Sequence, residues 1–125
     1  MRDIPFSDLK GKTLSKIEGA EENSEIIRFF TTDNKEYKMH HDQDCCENVT
    51  VNDIIGDISD LIGNEILTAE ERTSDANPEG ISKDYQDSFT WTFYELATIK
   101  GSVTIRWYGE SNGYYSERVD FEEVL

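Results

Sequence analysis

The sequence predicts an α+β fold, mainly antiparallel β-sheet with one short helix, as a single small domain over residues 1–125. Three observations carry that prediction. Residues 13–40 are rich in β-branched and aromatic side chains that alternate with polar ones, as half-buried strands do. Residues 89–108 repeat the pattern on both sides of a Lys-Gly turn. Only residues 52–63 space their apolar side chains as a helix would. A chain of 125 residues is long enough for one modest core and short for two domains.

Taken in order, residues 13–18 form a first strand that ends at Gly19. Residues 25–31 form a second. Asp33-Asn34 supplies a turn and residues 35–40 return, giving a meander. In residues 52–63 the apolar positions Ile54, Ile55, Ile58, Leu61 and Ile62 predict a short helix, capped by Asn52 or Asp53 and ended by Gly63. Residues 65–72 read as a strand or as the start of a helix. Residues 73–88, with Asp75, Asn77-Pro78, Gly80, Asp84 and Asp87, read as a loop of about 16 residues, a length that is often functional. Residues 89–98 and 102–108 pair as a hairpin across Lys100-Gly101, and residues 115–121 form a last strand with Val119 and Phe121 inward. The hairpin is expected to put Phe89, Trp91, Phe93, Ile99, Val103, Ile105 and Trp107 on the core face. Thr90, Thr92, Tyr94, Thr104, Arg106 and Tyr108 then form a polar aromatic face suited to a ligand or a subunit partner.

Charge narrows the partners. Twelve Lys and Arg against 27 Asp and Glu give a net charge of −15. Duplex nucleic acid is disfavoured, because phosphate-backbone binding runs on positive charge. Anionic membrane surfaces are disfavoured for the same reason. A small anionic ligand is not, since a few converging arginines and backbone N–H groups hold phosphate whatever the net charge. No run of about 18 apolar residues suggests a membrane span. The opening Met1-Arg2-Asp3-Ile4-Pro5-Phe6 lacks the apolar stretch of a secretory signal. The two cysteines are adjacent, Cys45-Cys46, and neighbours rarely bond each other. No disulfide framework is expected, and the cytoplasm is the default.

More than half of the 14 aromatics lie between Phe89 and Tyr115, and Arg106 sits among them. Aromatic faces, a cation and the Gly/Asn/Ser-rich loop Gly109-Glu110-Ser111-Asn112-Gly113 are the parts that hold a base and a phosphate. On residue chemistry alone, an ordinary β-core with tyrosines at its rim ranks ahead of that reading. The loop lacks a Gly-Lys-Ser/Thr phosphate motif. The segment from His40 to Glu47 holds every type of zinc ligand, but without the separated pairs of a structural zinc site, so no metal is expected. A strand end followed by an acidic turn is the plainer account, with a polar ligand contact from His41 or Asp44 as the sharper one. A cysteine nucleophile in that segment lacks an evident orienting partner. Glu70-Glu71 and Asp57/Asp60 are carboxylate pairs of the kind acid–base chemistry uses, though they arise by chance in so acidic a chain.

The blocks His41-Asp42-Gln43-Asp44-Cys45-Cys46-Glu47, Gly56-Asp57-Ile58-Ser59-Asp60-Leu61-Ile62-Gly63, Ala69-Glu70-Glu71-Arg72, Trp91-Thr92-Phe93-Tyr94 and Ile105-Arg106-Trp107-Tyr108-Gly109-Glu110-Ser111-Asn112-Gly113-Tyr114-Tyr115-Ser116 together resemble the first type of Thoeris anti-defence family. These are phage proteins that act as sponges for cyclic ADP-ribose isomers, and the resemblance covers about residues 11–121. It implies a protein in the cytoplasm of an infected bacterial host that binds the immune signal without cleaving it. It therefore implies no enzyme, no cofactor and no catalytic residue. It further implies a homodimer able to assemble into a hexamer, with signal sites at subunit interfaces. In some members cyclic trinucleotides bind at separate sites.

A sponge needs affinity without turnover: aromatics for adenine, arginines for the pyrophosphate and small polar groups for ribose. Stoichiometric trapping needs a dissociation constant of roughly nanomolar, about −12 kcal/mol. The expected ligand-binding residues are Phe89, Trp91 or Tyr114 stacking the base, Arg106 and Arg118, with Arg72 as a third choice, holding phosphates, Asn112 and Ser116 reading ribose or base edges, and Tyr108 beside them in the same site. Two rivals predict otherwise. An acidic DNA-mimic inhibitor would occupy a basic groove of a host enzyme. A small nucleotide hydrolase would use Glu70, Glu71 or the segment from His40 to Glu47.

Overall fold

Two antiparallel sheets pack face to face in the computed structural model, which describes residues 2–82 and 87–125. Nine strands are described: β1 (Arg2–Asp3), β2 (Leu14–Glu18), β3 (Ile26–Thr31), β4 (Glu36–His40), β5 (Asn48–Ile55), β6 (Thr68–Ser74), β7 (Ser88–Thr98), β8 (Gly101–Ser111) and β9 (Asp120–Val124). The first sheet runs β1-β9-β4-β3-β2 and the second β5-β8-β7-β6. Ile27, Phe29, Tyr37, Met39 and Phe121 from the first face Val51, Tyr94, Leu96, Val103, Ile105 and Trp107 from the second in one core. Trp107 Nε1 points at Met39 Sδ across the interface at 3.1 Å. The mainly antiparallel reading holds, as do the meander and the inward Val119 and Phe121.

The predicted helix over residues 52–63 is not formed. The chain continues in β5 as far as Ile55, and only a single 3₁₀ turn follows, Ile58–Leu61, with the Asp57 carboxylate accepting from Ser59 N at 3.0 Å. A second 3₁₀ turn, Phe6–Leu9, precedes β2. The helical spacing was produced by a β-bulge. The β5–β8 register slips between Val51 and Asp53, which interrupts the strand's period of two and leaves apolar residues at 54 and 55. Gly56 then turns the chain at φ +116°, where a Cβ would meet the Ser102 carbonyl oxygen at 2.5 Å.

The hairpin faces also differ from expectation. The turn is Ile99-Lys100, with Thr98 opposite Gly101. A two-residue turn makes every pair of opposed residue numbers sum to an odd value, so odd positions of β7 share a face with even positions of β8. Trp91 is therefore opposite Tyr108, Phe93 opposite Arg106 and Tyr94 opposite Ile105. Tyr94 and Leu96 join Val103, Ile105 and Trp107 in the main core. Trp91, Phe93 and Tyr108 form a second cluster on the outer face, with Phe89 and Ile81 packed against it. Ile99, at the turn, is 80% exposed.

Boundaries shift elsewhere. Residues 115–119 are not strand, and β9 begins only at Asp120. The long loop starts after Ser74, and Asp84, read as part of it, lies outside the described residues, as does Met1. Cys45 and Cys46, not expected to bond, are joined as a vicinal disulfide in the turn that wraps Glu47. Among the described residues no helix is long and apolar enough to cross a membrane.

The register makes a clear test. Ile105→Ala should cost about 2–5 kcal/mol, as a large-to-small change in a closed core does, whereas Ile99→Ala should move stability by no more than about 0.5 kcal/mol. Urea unfolding of both variants checks this.

Candidate binding groove

Strand β6 is the free edge of the second sheet. Its residues alternate: Ala69, Glu71 and Thr73 turn toward the sheet interface, Glu70 and Arg72 away from it. On the neighbouring strand Thr92 stands opposite Thr73 and Tyr94 opposite Glu71. The chain before β9 crosses in front of this edge. Gly109 makes that crossing possible, since a Cβ there would lie 2.9 Å from the Glu117 carbonyl oxygen and 3.1 Å from its Cβ. The Glu117 carboxylate then accepts from Thr90 Oγ1 at 2.8 Å and from Ser111 Oγ at 2.6 Å.

The result is a groove between β6 and residues 116–119. One part, about 220 Å³, is lined by Thr73, Thr90, Thr92, Ser116 and Glu117. A second part, about 510 Å³, is lined by Asp3, Ile4, Pro5, Phe6 and Phe121. Glu71, Thr73, Arg118 and Val119 border both. One end is thus rich in hydroxyls, the other is apolar and aromatic, and a carboxylate and a guanidinium stand between them.

Arg118 is held by its backbone and free at its tip. Its N–H donates to Ser116 Oγ at 3.1 Å, and its carbonyl accepts from His41 Nδ1 at 2.6 Å. The side chain is 74% exposed, with Asp120 at 3.3 Å from Nε. The terminal nitrogens of a guanidinium so placed are well suited to a bidentate anion.

His41 links this arginine to a buried hub. Its Nε2 meets the Glu47 carboxylate at 2.9 Å, and both side chains are almost wholly buried. Glu47 also accepts from Gln43 Nε2 at 3.1 Å, Asp44 N at 3.1 Å and Cys45 N at 2.8 Å. Both ring nitrogens of His41 face acceptors, so both are satisfied only when the ring is the doubly protonated cation. Burial by itself would lower the His41 pKa, but the Arg118 carbonyl and the Glu47 carboxylate outweigh it and raise it above the usual value. Burial would raise that of Glu47, but the bonds from His41 and the backbone N–H groups of Cys45 and Asp44 bring it down to about 2.

The nine sequence-predicted residues fall into three places. Arg118 and Ser116 border the groove. Asn112 and Tyr114 lie on the β8–β9 loop, where Tyr114 is 84% exposed and packs edge-on against Tyr115 at 5.1 Å. Arg72, Phe89, Trp91, Arg106 and Tyr108 share the outer face of the second sheet. There the Arg72 guanidinium stacks on Phe93 at 3.9 Å. Arg106 donates from Nε to Asn52 Oδ1 at 2.9 Å and lies 5.4 Å from the Trp91 ring. Trp91 is fully buried and donates to Asn77 Oδ1 at 3.1 Å. These groups hold one another, and Arg106 and Arg118 do not converge.

Glu70 and Glu71 alternate along β6, and both border a further open depression with Pro5, Phe6, Ser7 and Ala69. Among the described residues no three His, Cys, Asp or Glu side chains are grouped to hold a metal ion. Sequence reasoning missed Glu71, Thr73 and Glu117 as neighbours. The period-two run Thr90, Thr92, Tyr94 was the available signal: a polar stripe on a strand whose other face is apolar.

A family model described as a domain of unknown function, DUF7448, matches residues 7–121. The chain belongs to the DUF7448 family. No curated protein and no solved structure matches it. The match to DUF7448 takes in the whole second sheet, β2, β3, β4 and the start of β9 in the first, and every wall of the groove except Asp3, Ile4, Pro5 and Phe6.

The hub makes stability pH-dependent with a definite sign. A histidine whose folded pKa is raised stabilises the fold fully below the unfolded value of 6.5 and stops doing so as pH rises through the folded value. The urea midpoint of the wild-type protein should therefore fall as pH rises above 6.5, more steeply than that of His41→Gln. Glu47 acts at the other end, its contribution being present above 4.5 and lost as pH falls toward about 2.

Proposed function

We propose that this DUF7448 domain is a ligand-binding protein that sequesters a small nucleotide-type signal in the groove between β6 and residues 116–119. The observation that carries the reading is the position of Arg118: an exposed guanidinium at the junction of a hydroxyl-rich end and an aromatic end. A nucleotide has that same order of parts. Its phosphate pairs with Arg118, its sugar meets Thr73, Ser116 and the carboxylates, and its base lies against Phe6 and Phe121. The combined space falls within the range of about 300–1,000 Å³ typical of small-molecule sites.

The Thoeris anti-defence resemblance names the ligand as a cyclic ADP-ribose isomer. In that reading the protein traps the signal in the cytoplasm of an infected bacterium, binds it without turnover, and works as a homodimer or hexamer whose second copy closes the open side of the groove. Enclosure by a neighbouring subunit is what would turn an open groove into a site of nanomolar affinity.

The test is calorimetric titration with cyclic ADP-ribose isomers, followed by release of the bound ligand and mass spectrometry. Intact ligand released in near-stoichiometric amount is the expected result, and a linear product would make the protein an enzyme. Arg118→Ala should weaken binding by about 1.5–3 kcal/mol, as loss of a charged hydrogen bond does. Arg106→Ala should leave it unchanged. The reverse pattern would move the site to the outer face of the second sheet.

A further inference from the structure

We infer that the outer edge of β6 is a self-association surface, on which β6 of a second copy of this chain lies antiparallel, centred on Glu71, and joins the two four-stranded sheets into one. The inference assigns the surface and register between copies and stands whether or not the groove takes a nucleotide.

A strand edge presents a row of unpaired N–H and C=O groups, and proteins block such edges unless they use them. Strand β1 is only two residues long. Strand β2 carries a register slip, and its outer side is bridged by Ile62 and Glu65. Strand β5 carries the bulge after Val51, and Val51 exchanges backbone bonds with Asn23 and Ser24 on its outer side. Strand β6 has none of these devices among the described residues. It runs for seven residues, pairs with β7 without a slip, and offers its outer backbone groups to no other segment. An open depression of about 500 Å³ lies along it, lined by Ala69, Glu70 and Glu71 with Pro5, Phe6 and Ser7 as the far wall. Residues from both faces of the strand border that space, so it lies at the edge itself.

Charge on an edge guards it when it repels a copy. The order Glu70-Glu71-Arg72 does the reverse in one register. A two-fold axis normal to the sheet keeps each face on its own side, so residues of like parity must oppose each other. A dimer centred on Glu70 sets Glu70 against itself, and one centred on Arg72 sets Arg72 against itself. Centred on Glu71, the pairing places Glu70 opposite Arg72 of the second copy twice, once on each side of the axis. Such opposed pairs of unlike charge are stabilising in a sheet. The one like-charge contact, Glu71 with its copy, falls on the groove side, where Arg118 borders the same space.

The single copy leaves this face unbalanced. Glu70 stands opposite Glu95 on β7 and has no cationic partner among the described residues. Arg72 lies with Nε 3.6 Å from Glu95 and its side chain 59% exposed. Arg72 of a second copy, opposite Glu70, supplies the missing cation. Because Glu71 and Thr73 also border the groove, the same contact sets two grooves side by side across the axis.

The experiment is sedimentation of the full chain, with oxidative cross-linking of Glu70→Cys, Glu71→Cys and Arg72→Cys compared with wild type. Wild type, whose Cys45 and Cys46 bond each other, sets the background. Opposed Cα atoms lie about 4.5–5.5 Å apart, within the span of a disulfide. The expected result is a wild-type dimer in which Glu71→Cys cross-links to itself and the other two do not. Arg72→Glu should weaken the dimer at least about tenfold, since two attractive pairs become repulsive, and Glu70→Arg combined with Arg72→Glu should restore it. Thermal unfolding checks that these exposed substitutions leave the fold intact. A wild type that stays monomeric up to millimolar concentration overturns the inference, as does a dimer indifferent to Arg72→Glu or one cross-linked through Glu70→Cys or Arg72→Cys instead. A monomer that binds cyclic ADP-ribose removes this inference and leaves the groove. A dimer with the expected cross-link that binds none leaves this inference and removes the groove reading.

Discussion

The two-residue turn at Ile99-Lys100 is the constraint on which the rest of the structure depends. It joins the two longest strands, β7 and β8, which lie side by side in the middle of the second sheet. A turn of two residues fixes the parity of the pairing, and parity decides which side chains face the first sheet. With Trp91 opposite Tyr108, the main core receives Tyr94, Leu96, Val103, Ile105 and Trp107. The other aromatics go to the outer face, where they make a second, shallower cluster. One more residue in the turn would exchange the faces of one strand against the other.

That parity also creates the groove. The inward stripe of β7 is apolar at Tyr94 and Leu96 but polar at Thr90 and Thr92, so the interface between the sheets changes character along its length. Where it turns polar, the sheets do not close on each other. Residues 116–119 fill the mouth instead, admitted by the missing side chain of Gly109 and fastened by Glu117 to Thr90 and Ser111. Behind them His41 ties the Arg118 carbonyl to the buried Glu47 carboxylate, and Glu47 in turn organises the turn from Gln43 to Cys45. The exposed guanidinium of Arg118 thus stands on a backbone anchored from inside.

The strong negative charge sits comfortably with such a site. Net −15 opposes extended polyanions over the whole surface. A single arginine in a concave site acts at contact distance and is indifferent to the sum. An acidic inhibitor of a basic host protein would need its carboxylates gathered on one element, and the acids here are distributed over both sheets and their loops.

The sequence by itself determined the mainly antiparallel β character of the fold, but not the α+β class, since the described residues hold 3₁₀ turns and no α-helix. Alternation in residues 13–40 and 89–108 gave antiparallel strands, because a half-buried strand imposes a period of two on its own residues. The local signals misled where a single residue changed the count. The bulge after Val51 turned a strand into an apparent helix, and the length of one turn reversed the assignment of Trp91, Phe93 and Tyr94. The site was legible only in part. Arg118 and Ser116 were named as candidates, but within a last strand over residues 115–121 whose first part is a crossing segment instead. Their neighbours Glu71, Thr73 and Thr90 come from strands far away in the chain, and no local pattern encodes that meeting. Hydrophobic period is written residue by residue, whereas a groove is made by what the sheets leave uncovered when they pack. Only the tertiary structure decides which side chains share it.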